Sequence, residues 1–374
     1  MKVEFYKHDI EESDIRAVSA AMRAPILTTG QTVYEFEKRF AEYTSNEFAI
    51  GLMSGTHALE LALRLYDIGQ GDEVITTPLS FIATSNAIIQ AGAHPIFVDV
   101  ETSTGNIDAD LIEQAITAKT RALLIVHLYG VMCDIKKLRA IADKYHLILI
   151  EDAAHCIEGS REGFRSGNLG DVACFSFYAT KNITSGEGGA ISVHHASQAE
   201  LLRTLSLHGM DKSAEKRYQN KYQHWDMKTL GHKANMSNIQ AAMLLGQLER
   251  LDDQWEKREK ICRIYEHAFS EMKGVSFPVV PQNAKSARHL FTIWVDPSRR
   301  DEILLRLQEQ GVGVAVNYRA IHLLQYYREK FGFKRGDYPQ AEHIGDSTIT
   351  LPLYSKLTDK EIKYVIEAVK KALD

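Results

Sequence analysis

The sequence predicts an α/β protein with a mostly parallel β-sheet in a large domain and a smaller α/β domain after it. Short aliphatic runs alternate with amphipathic stretches from about residue 47 to 195, and a separate β-α-β pattern follows from about 275. The 374 residues also exceed the usual span of one hydrophobic core. We therefore assign residues 1–245 to the large domain and 246–374, including a linking helix, to the smaller one.

Seven short apolar runs in the large domain predict its strands. Runs this rich in aliphatic residues are typical of parallel strands that are buried on both faces, and ligands of such sheets bind beyond the carboxyl ends of the strands. The predicted strands cover 48–53, 73–77, 95–100, 122–127, 147–151, 173–177 and 189–194. Amphipathic patterns predict helices between them at 56–66, 82–90, 109–117 and 135–145.

The rest of the chain has three further features. Residues 209–233 are rich in charged and aromatic side chains and predict a long exposed excursion. A stripe of apolar residues from Leu244 to Phe269 recurs at helical spacing and predicts one long packing helix. In the smaller domain we expect strands at 291–295, 312–317 and 348–353 and helices at 299–310 and 359–373.

Composition and charge disfavour several classes of protein. The formal net charge of −5 disfavours nucleic acid as a partner, because neutralising phosphates needs a surplus of positive charge. The four cysteines are widely spaced and form no C-x-x-C pair, which favours reduced thiols and no metal centre. No run is long enough to span a membrane, and the first residues do not resemble a signal peptide. We therefore expect a cytoplasmic protein.

Lys181 is the first candidate catalytic residue. It follows the apolar, aromatic strand 173–177 and precedes the glycine-rich turn Gly186-Glu-Gly-Gly189. Partial burial there is expected to lower the pKa of the amine and to make it a nucleophile that can form an imine with an aldehyde. An exposed loop lysine is the alternative, and only the setting of Lys181 argues against it.

Asp152 ends another apolar strand, 147–151, and is the second candidate. A buried carboxylate needs a partner, and the ring nitrogen of a Schiff-base cofactor would be one. A structural salt bridge or a metal ligand are the alternatives. The nearby His155 and Cys156 could suggest a metal, but no H-E-x-x-H or paired C-x-x-C motif supports one.

A phosphate site is predicted where the first strand meets its helix, at Ser54-Gly55-Thr56. Free backbone N–H groups and the helix dipole favour an anion there, with the Thr56 hydroxyl as a further donor. A simple helix cap explains the same residues equally well. In the turn after the next strand, Phe81 could stack on a planar cofactor, although a lone phenylalanine is more often part of a core.

These motifs resemble the DegT/DnrJ/EryC1/StrS sugar aminotransferases, a branch of the fold-type I pyridoxal 5′-phosphate (PLP) enzymes, almost from end to end. The most specific match is Ser176-Phe-Tyr-Ala-Thr-Lys181-Asn-Ile-Thr with Gly186-Glu-Gly-Gly189. The other matching segments are Leu27-Thr-Thr-Gly30 with Phe36-Glu37, Ser54-Gly-Thr56, Glu151-Asp-Ala-Ala-His155, His208-Gly-Met210, Asn235-Met-Ser-Asn238 and Asn317-Tyr-Arg-Ala-Ile-His322. Asn317 departs from the common pattern, since many members have histidine there.

The resemblance implies a cofactor site for PLP. Lys181 would bind the cofactor covalently and, once released, transfer the proton, while Asp152 would pair with the pyridine nitrogen. The other implied cofactor contacts are Gly55, Thr56 and Ser176 at the phosphate, Phe81 on the ring face and His155 at the ring or its hydroxyl.

The resemblance also implies partners. Asn235 would reach the phosphate of a neighbouring subunit, so that a homodimer would share its two active sites. The residues implied at the border of a nucleotide-sugar pocket are Thr29, Gly30, Tyr318 and His322.

The implied reaction is a transamination from L-glutamate to a nucleotide-linked keto sugar. The sequence around Lys181 resembles that of enzymes acting on the 4-keto group of a 4-keto-6-deoxysugar that supplies surface glycans such as lipopolysaccharide. UDP is the expected nucleotide, with dTDP and GDP as alternatives. A dTDP-linked 3-keto sugar and a non-catalytic, PLP-binding regulatory role are the alternatives. Related dehydratases carry histidine in place of Lys181, which favours transamination here.

Overall fold

The structure is a computed structural model that describes residues 1–211 and 224–374. Its α-helices within those residues are α1 (Glu12–Arg23), α2 (Gln31–Thr44), α3 (Gly55–Leu65), α4 (Ala83–Gln90), α5 (Ala109–Ile112), α6 (Ile135–Tyr145), α7 (Ala196–Ser206), α8 (Asn238–Glu249), α9 (Leu251–Ser270), α10 (Arg300–Glu309), α11 (Gln325–Phe331), α12 (Pro339–Ser347) and α13 (Asp359–Leu373). Short 3₁₀ helices cover Glu113–Ala115, Leu128–Gly130 and Ile321–Leu323.

The strands form one large sheet and two small ones. They are β1 (Phe48–Leu52), β2 (Glu73–Thr76), β3 (His94–Phe97), β4 (Thr120–Val126), β5 (Ile148–Asp152), β6 (Ser160–Arg161), β7 (Phe164–Arg165), β8 (Val172–Ser176), β9 (Gly189–Val193), β10 (Ala284–Lys285), β11 (Phe291–Trp294) and β12 (Thr348–Leu351). The large sheet has the order β1-β9-β8-β5-β4-β2-β3, and the small sheets are β10-β6-β7 and β11-β12.

The large sheet is mostly parallel, as predicted from the apolar runs. The pairs β2–β3, β2–β4, β4–β5 and β5–β8 are parallel, whereas β9 is antiparallel to both of its neighbours, β1 and β8. Because both β1 and β8 are antiparallel to β9, they run in the same direction. The carboxyl ends of β1, β2, β4, β5 and β8 therefore meet at one edge, together with the start of β9.

Hydrophobic clusters cover both faces of this sheet and form a separate core in the C-terminal part. One cluster packs α3, α4 and α7 on one face of the sheet, and two others pack α6 and the pair α2 and α8 on the opposite face. A further cluster joins α9, α10 and α13 to β11 and β12, and it also contains Val3. The N-terminal residues thus pack on the second core, although our division assigned residues 1–245 to the large domain.

Three sequence predictions need correction. Residues 312–317 form no strand: Val312 and Ala315 make isolated bridges to Val3 and Thr350 instead. The predicted long helix is divided into α8 and α9 at Arg250, whose guanidinium pairs with the buried Asp14 at 2.7 Å. The helix at 109–117 is one α-helical turn followed by a 3₁₀ turn.

The predicted excursion at 209–233 lies partly outside the described residues, since 212–223 are not among them. Its described end, from His224 to Lys233, is mostly exposed and makes bridges between Met227 and Met210 and between Lys233 and Leu207. Across residues 1–211 and 224–374, no helix is both long and apolar enough to cross a bilayer.

Candidate active site

The phosphate end of the site forms where α3 begins against two strands of the sheet. The Ser54 side chain caps α3 by accepting a hydrogen bond from the His57 N–H at 3.2 Å. A β-carbon on Gly189 would lie 2.4 Å from the Ser54 carbonyl carbon, and one on Gly55 would lie 2.9 Å from the Ser176 Cβ. Only glycine permits this close approach, and Gly55 and Thr56, whose N–H groups begin α3, line the cavity together with Ser176.

Lys181 lies on the cavity wall, in the turn between β8 and β9. Desolvation lowers the pKa of its amine from 10.5 to about 8, and the nearby Asp152 carboxylate only partly opposes that effect. The Tyr6 hydroxyl donates a hydrogen bond to the Lys181 carbonyl oxygen at 3.0 Å, so the N-terminal segment holds this turn. The sequence predicted a lysine with a lowered pKa, and the structure agrees.

Asp152 ends β5 and reaches the same cavity. Its Oδ2 accepts a hydrogen bond from the Thr84 hydroxyl at 2.8 Å, and its Oδ1 accepts one from the Ala154 N–H at 3.2 Å. Burial raises the pKa of the carboxyl group, while these two donors and Lys181 act in the opposite direction. Each oxygen keeps a lone pair for a donor in the cavity.

Glu151 points to the opposite face of the sheet, because successive strand residues alternate. Its carboxylate is fully buried and accepts hydrogen bonds from the Gly167 and Gly170 N–H groups at 2.9 and 2.7 Å. His127 Nδ1 accepts from the Cys133 N–H, so His127 Nε2 carries the proton that it donates to Glu151 at 2.8 Å. Glu151 thus holds the neighbouring loop and His127 in place, whereas Asp152 presents its carboxylate to the cavity.

His155 forms the wall next to Asp152. Its Nε2 lies 3.1 Å from the Tyr318 hydroxyl, and the two rings stack with centroids 5.9 Å apart. Burial lowers the pKa of His155 well below 6.5, with Lys181 and His289 adding to the effect, which leaves a neutral imidazole. Among residues 1–211 and 224–374, nothing forms a hydrogen bond with its buried Nδ1 or with the buried Oδ1 of Asn317 in the same cavity wall.

The cavity has a volume of about 460 Å³ and brings together most of the predicted cofactor residues. Those that line it are Gly55, Thr56, Phe81, Asp152, His155, Ser176, Lys181 and Tyr318. The Phe81 side chain lines the cavity and is 55% exposed, and its ring centroid lies 5.9 Å from that of Tyr318.

Four predicted residues do not line the cavity of this chain. Asn235 donates hydrogen bonds to the hydroxyls of Thr28 and Thr29, at 3.2 and 2.7 Å, and Gly30 begins α2 beside them. The prediction for His322 needs correction: it is fully buried, and its Nε2 is bonded to Glu342 at 2.9 Å. That bond and the absence of exposed surface keep His322 from bordering a ligand in this conformation.

The sequence reading missed Thr84 and His289, which both line the cavity. Thr84 lies three residues after Phe81, on the first turn of α4, and that spacing could have identified it. His289 lies two residues before the short strand β11, and no local pattern connects it with Lys181.

The residues present fit PLP. A helix N-terminus offers N–H donors to a phosphate, Asp152 offers a carboxylate to a ring nitrogen, and Lys181 offers an amine with a lowered pKa. The unpaired His155 Nδ1 and Asn317 Oδ1 are buried polar atoms that a bound ligand would satisfy. Among the described residues, no group of three or more potential metal ligands comes together.

Comparison with known proteins identifies the family. The sequence model of the DegT/DnrJ/EryC1/StrS aminotransferase family matches residues 8–370. The chain belongs to this family. It is 39% identical over 367 residues to the spore coat polysaccharide biosynthesis protein SpsC of Bacillus subtilis, covering 96% of this chain and 94% of that protein.

Solved structures of family members share the fold. The putative sugar aminotransferase Spr1654 from Streptococcus pneumoniae, in its PMP form, superposes with a TM-score of 0.94 at 32% identity, over 99% of both chains. Helicobacter pylori PseC, an aminotransferase involved in the biosynthesis of pseudoaminic acid, superposes with a TM-score of 0.93 at 26% identity, over 100% of this chain and 99% of PseC. The chain is thus a PLP-dependent sugar aminotransferase with the α/β fold predicted from its sequence.

Bound PLP supplies an aldehyde for the amino group and a ring that accepts electron density from the substrate carbon. The parts of this chain that would hold and orient it are Asp152 at the ring nitrogen, the start of α3 at the phosphate and Lys181 as the covalent anchor. With a pKa of about 8, the free amine of Lys181 can take up and return a proton near neutral pH.

Proposed function

We propose that this aminotransferase moves an amino group from L-glutamate to the 4-keto group of a nucleotide-linked 4-keto-6-deoxysugar, with UDP as the nucleotide. The observation that carries the transamination is the amine of Lys181, with its lowered pKa, in one cavity with the Asp152 carboxylate. Lys181 serves as general acid and base. It takes a proton from the α-carbon of the donor in one half-reaction and delivers a proton to the sugar carbon that receives the amine in the other.

The size and lining of the cavity support an acceptor larger than an amino acid. Its volume of about 460 Å³ lies within the range of small-molecule sites, and its outer wall is aromatic, formed by Phe81, Tyr178 and Tyr318. Flat rings of this kind suit the stacking of a sugar or base. The similarity to SpsC and PseC, whose names refer to polysaccharide and pseudoaminic acid biosynthesis, supports an amino sugar for a surface glycan such as lipopolysaccharide.

We also propose that the enzyme is a cytoplasmic homodimer with shared active sites. Asn235 lies outside the cavity of its own chain, on a segment with exposed apolar side chains. Trp225, Met227 and Leu230 are 50%, 56% and 65% exposed. A second copy of the chain that covers this surface would place Asn235 at its partner's phosphate site.

The substrate is tested with a panel of UDP-, dTDP- and GDP-linked 4-keto-6-deoxysugars and a dTDP-linked 3-keto sugar. With L-glutamate as donor, mass spectrometry should report exchange of the keto group for an amine on the UDP-linked 4-keto sugar, and Lys181→Ala should abolish it. Preference for the 3-keto sugar would overturn the proposed regiochemistry. No turnover of any sugar by PLP-loaded protein would favour the regulatory alternative.

The shared site is tested by mixing two inactive variants, Lys181→Ala and Asn235→Ala, under conditions that exchange subunits. If Asn235 serves the partner's site, each mixed dimer has one intact site, and random mixing restores about one quarter of wild-type activity. If Asn235 serves its own chain, every site carries a defect, and mixing restores none.

A further inference from the structure

The N-terminal segment, residues 1–9, connects the second core to the turn that carries Lys181. Val3 is buried in that core. Its N–H donates a hydrogen bond to the Gly311 carbonyl oxygen at 2.9 Å, and its carbonyl oxygen accepts one from the Gly313 N–H at 2.8 Å. The segment is therefore paired with the backbone just after α10, and neither the sequence motifs nor the proposed function assigns it a role.

Two ion pairs fix the other end of this segment to the same part of the chain. The Lys7 ammonium lies 3.3 Å from the Glu361 carboxylate of α13, and the Lys356 ammonium lies 3.3 Å from the Asp9 carboxylate. Each pair is partly exposed and contributes little alone. Together with the backbone bonds at Val3, they hold the segment at both of its ends.

Two residues between those ends contact the active site. Phe5 lines the cavity, and the Tyr6 hydroxyl donates its hydrogen bond to the Lys181 carbonyl oxygen at 3.0 Å. Burial raises the pKa of Tyr6 to about 12, with Arg258 acting in the opposite direction. The hydroxyl therefore keeps its proton, and remains a donor, at neutral and mildly alkaline pH.

Asn182, the residue after Lys181, is also held by groups outside the strands of the large sheet. Its Nδ2 lies 2.9 and 2.8 Å from the two carboxylate oxygens of Glu158 and 3.0 Å from the Ala287 carbonyl oxygen. Glu158 in turn forms a buried ion pair with Arg258 of α9, a helix of the second core. The peptide group between Lys181 and Asn182 is thus fixed on both sides, by the tyrosine hydroxyl at its carbonyl oxygen and by the amide of the next side chain.

We propose that Tyr6 is a positioning residue of this aminotransferase, which holds the backbone of Lys181 in place for its amine to reach the cofactor and links that position to the second core. A lysine side chain is a flexible stem, so its backbone is the end that the protein can fix. A displacement of about 1 Å at a reacting group can cost about 100-fold in rate. Because its tests use neither amino donor nor sugar, this role of Tyr6, which rests on the proposed role of Lys181, can fail while the transamination stands.

The effect on the amine is tested by the pH profile of reductive methylation of Lys181, resolved by peptide mass spectrometry in full-length protein without cofactor. A solved apo form of Spr1654 superposes on this chain with a TM-score of 0.94. Tyr6→Phe keeps the ring and removes the donor, and a turn released in this way lets the ammonium group reach water. The midpoint of the profile should therefore rise from about 8 by about 0.5 to 1 pH unit, and an unchanged midpoint would overturn the proposal.

Tyr66→Phe is the matched control. The Tyr66 hydroxyl also donates to a backbone carbonyl oxygen, that of Asp171, at 3.1 Å and outside the cavity. This variant should leave the Lys181 midpoint unchanged, even if it unfolds at a lower urea concentration. An equal shift in both variants would show that Tyr6 acts only through overall stability, which would also overturn the proposal.

The link to the second core is tested with Gly313→Ala. A β-carbon on Gly313 would lie 2.4 Å from the Phe5 backbone nitrogen, so this variant displaces the segment beside Tyr6 without changing a side chain of the cavity. It should raise the Lys181 midpoint as Tyr6→Phe does, and the double variant should shift the midpoint no further than Tyr6→Phe alone. No shift in Gly313→Ala, or additive shifts, would show that the second core does not act on Lys181 through Tyr6.

Hydrogen exchange of the PLP-loaded enzyme tests the same contact with the cofactor in place. The Lys181 N–H bonds to the Tyr178 carbonyl oxygen at 2.9 Å within the turn. Tyr6→Phe should speed exchange in the peptide covering 178–185 about fivefold and leave exchange in β4 unchanged. Unchanged exchange in the turn, or an equal increase in β4, would contradict a local hold by Tyr6.

Discussion

Replacing Lys181 by methionine should stabilise the cofactor-free protein more at neutral pH than at alkaline pH. Methionine keeps the apolar length of the side chain and removes the ammonium group. The pKa of the Lys181 amine is about 8 in the folded protein, against 10.5 for an unperturbed lysine. Below pH 8 both folded and unfolded chains carry the proton, and burial of the charge destabilises the fold. Between pH 8 and 10.5 only the unfolded chain holds the proton, so stability rises with pH.

The magnitude follows from those two pKa values. Integrating the difference in bound protons from pH 7 to pH 10 gives about 2.5 kcal/mol of stability that the wild type gains from this one group. Water in the open cavity screens the charge, so this figure is an upper bound. The variant lacks this amine. The excess of its free energy of unfolding over that of the wild type should therefore shrink by up to that amount from pH 7 to pH 10.

Urea unfolding of both proteins at pH 7 and pH 10, without PLP, measures this change. Lys119→Met, at an exposed position, is the control and should show no such pH-dependent difference. A Lys181→Met advantage that stays constant from pH 7 to pH 10 would refute a lowered pKa for Lys181, and with it the view that burial prepares this amine for catalysis.

Three further predictions concern the cofactor site. Thr84→Val removes the hydroxyl that donates to Asp152, so it should weaken PLP binding about 10- to 100-fold in a fluorescence titration. Thr84→Ser keeps the hydroxyl and should bind PLP like the wild type. Equal PLP affinity of the two variants would contradict the role of that bond. Gly189→Ala forces a β-carbon against Ser54 and should cost about 1–3 kcal/mol in urea unfolding, whereas a neutral effect would mean that the strand ends are not in close contact. Lys181→Ala should lose the visible imine band of the holoenzyme, and its retention would overturn the lysine assignment.

The seven strands of the large sheet could be predicted because most of them are short runs of mainly apolar residues with a polar residue at or just after the end. Ala122 to Ile125 are fully buried in β4, and the run before Asp152 forms β5. Since parallel strands end at one edge, placing Lys181 and Asp152 after neighbouring strands already predicted one shared cavity.

The errors and omissions arise from tertiary contacts that leave no local pattern. An apolar stripe continues through Arg250, and the contacts of the Arg250 guanidinium, including its ion pair with Asp14 of α1, mark the junction between two helices. Val312 lies between the N-terminal segment and the second core, where it pairs as an isolated bridge instead of joining a sheet. His289 enters the cavity because Asn182 and His155 hold it there, from more than a hundred residues away along the chain.

The most direct test of the account is to locate the covalent bond between protein and cofactor. Borohydride reduction of the PLP-loaded enzyme, followed by peptide mass spectrometry, should place the pyridoxyl group on Lys181 alone. A pyridoxyl group on any other lysine, or none on Lys181 in protein that has bound PLP, would contradict the assignment of Lys181 as the residue that carries the chemistry.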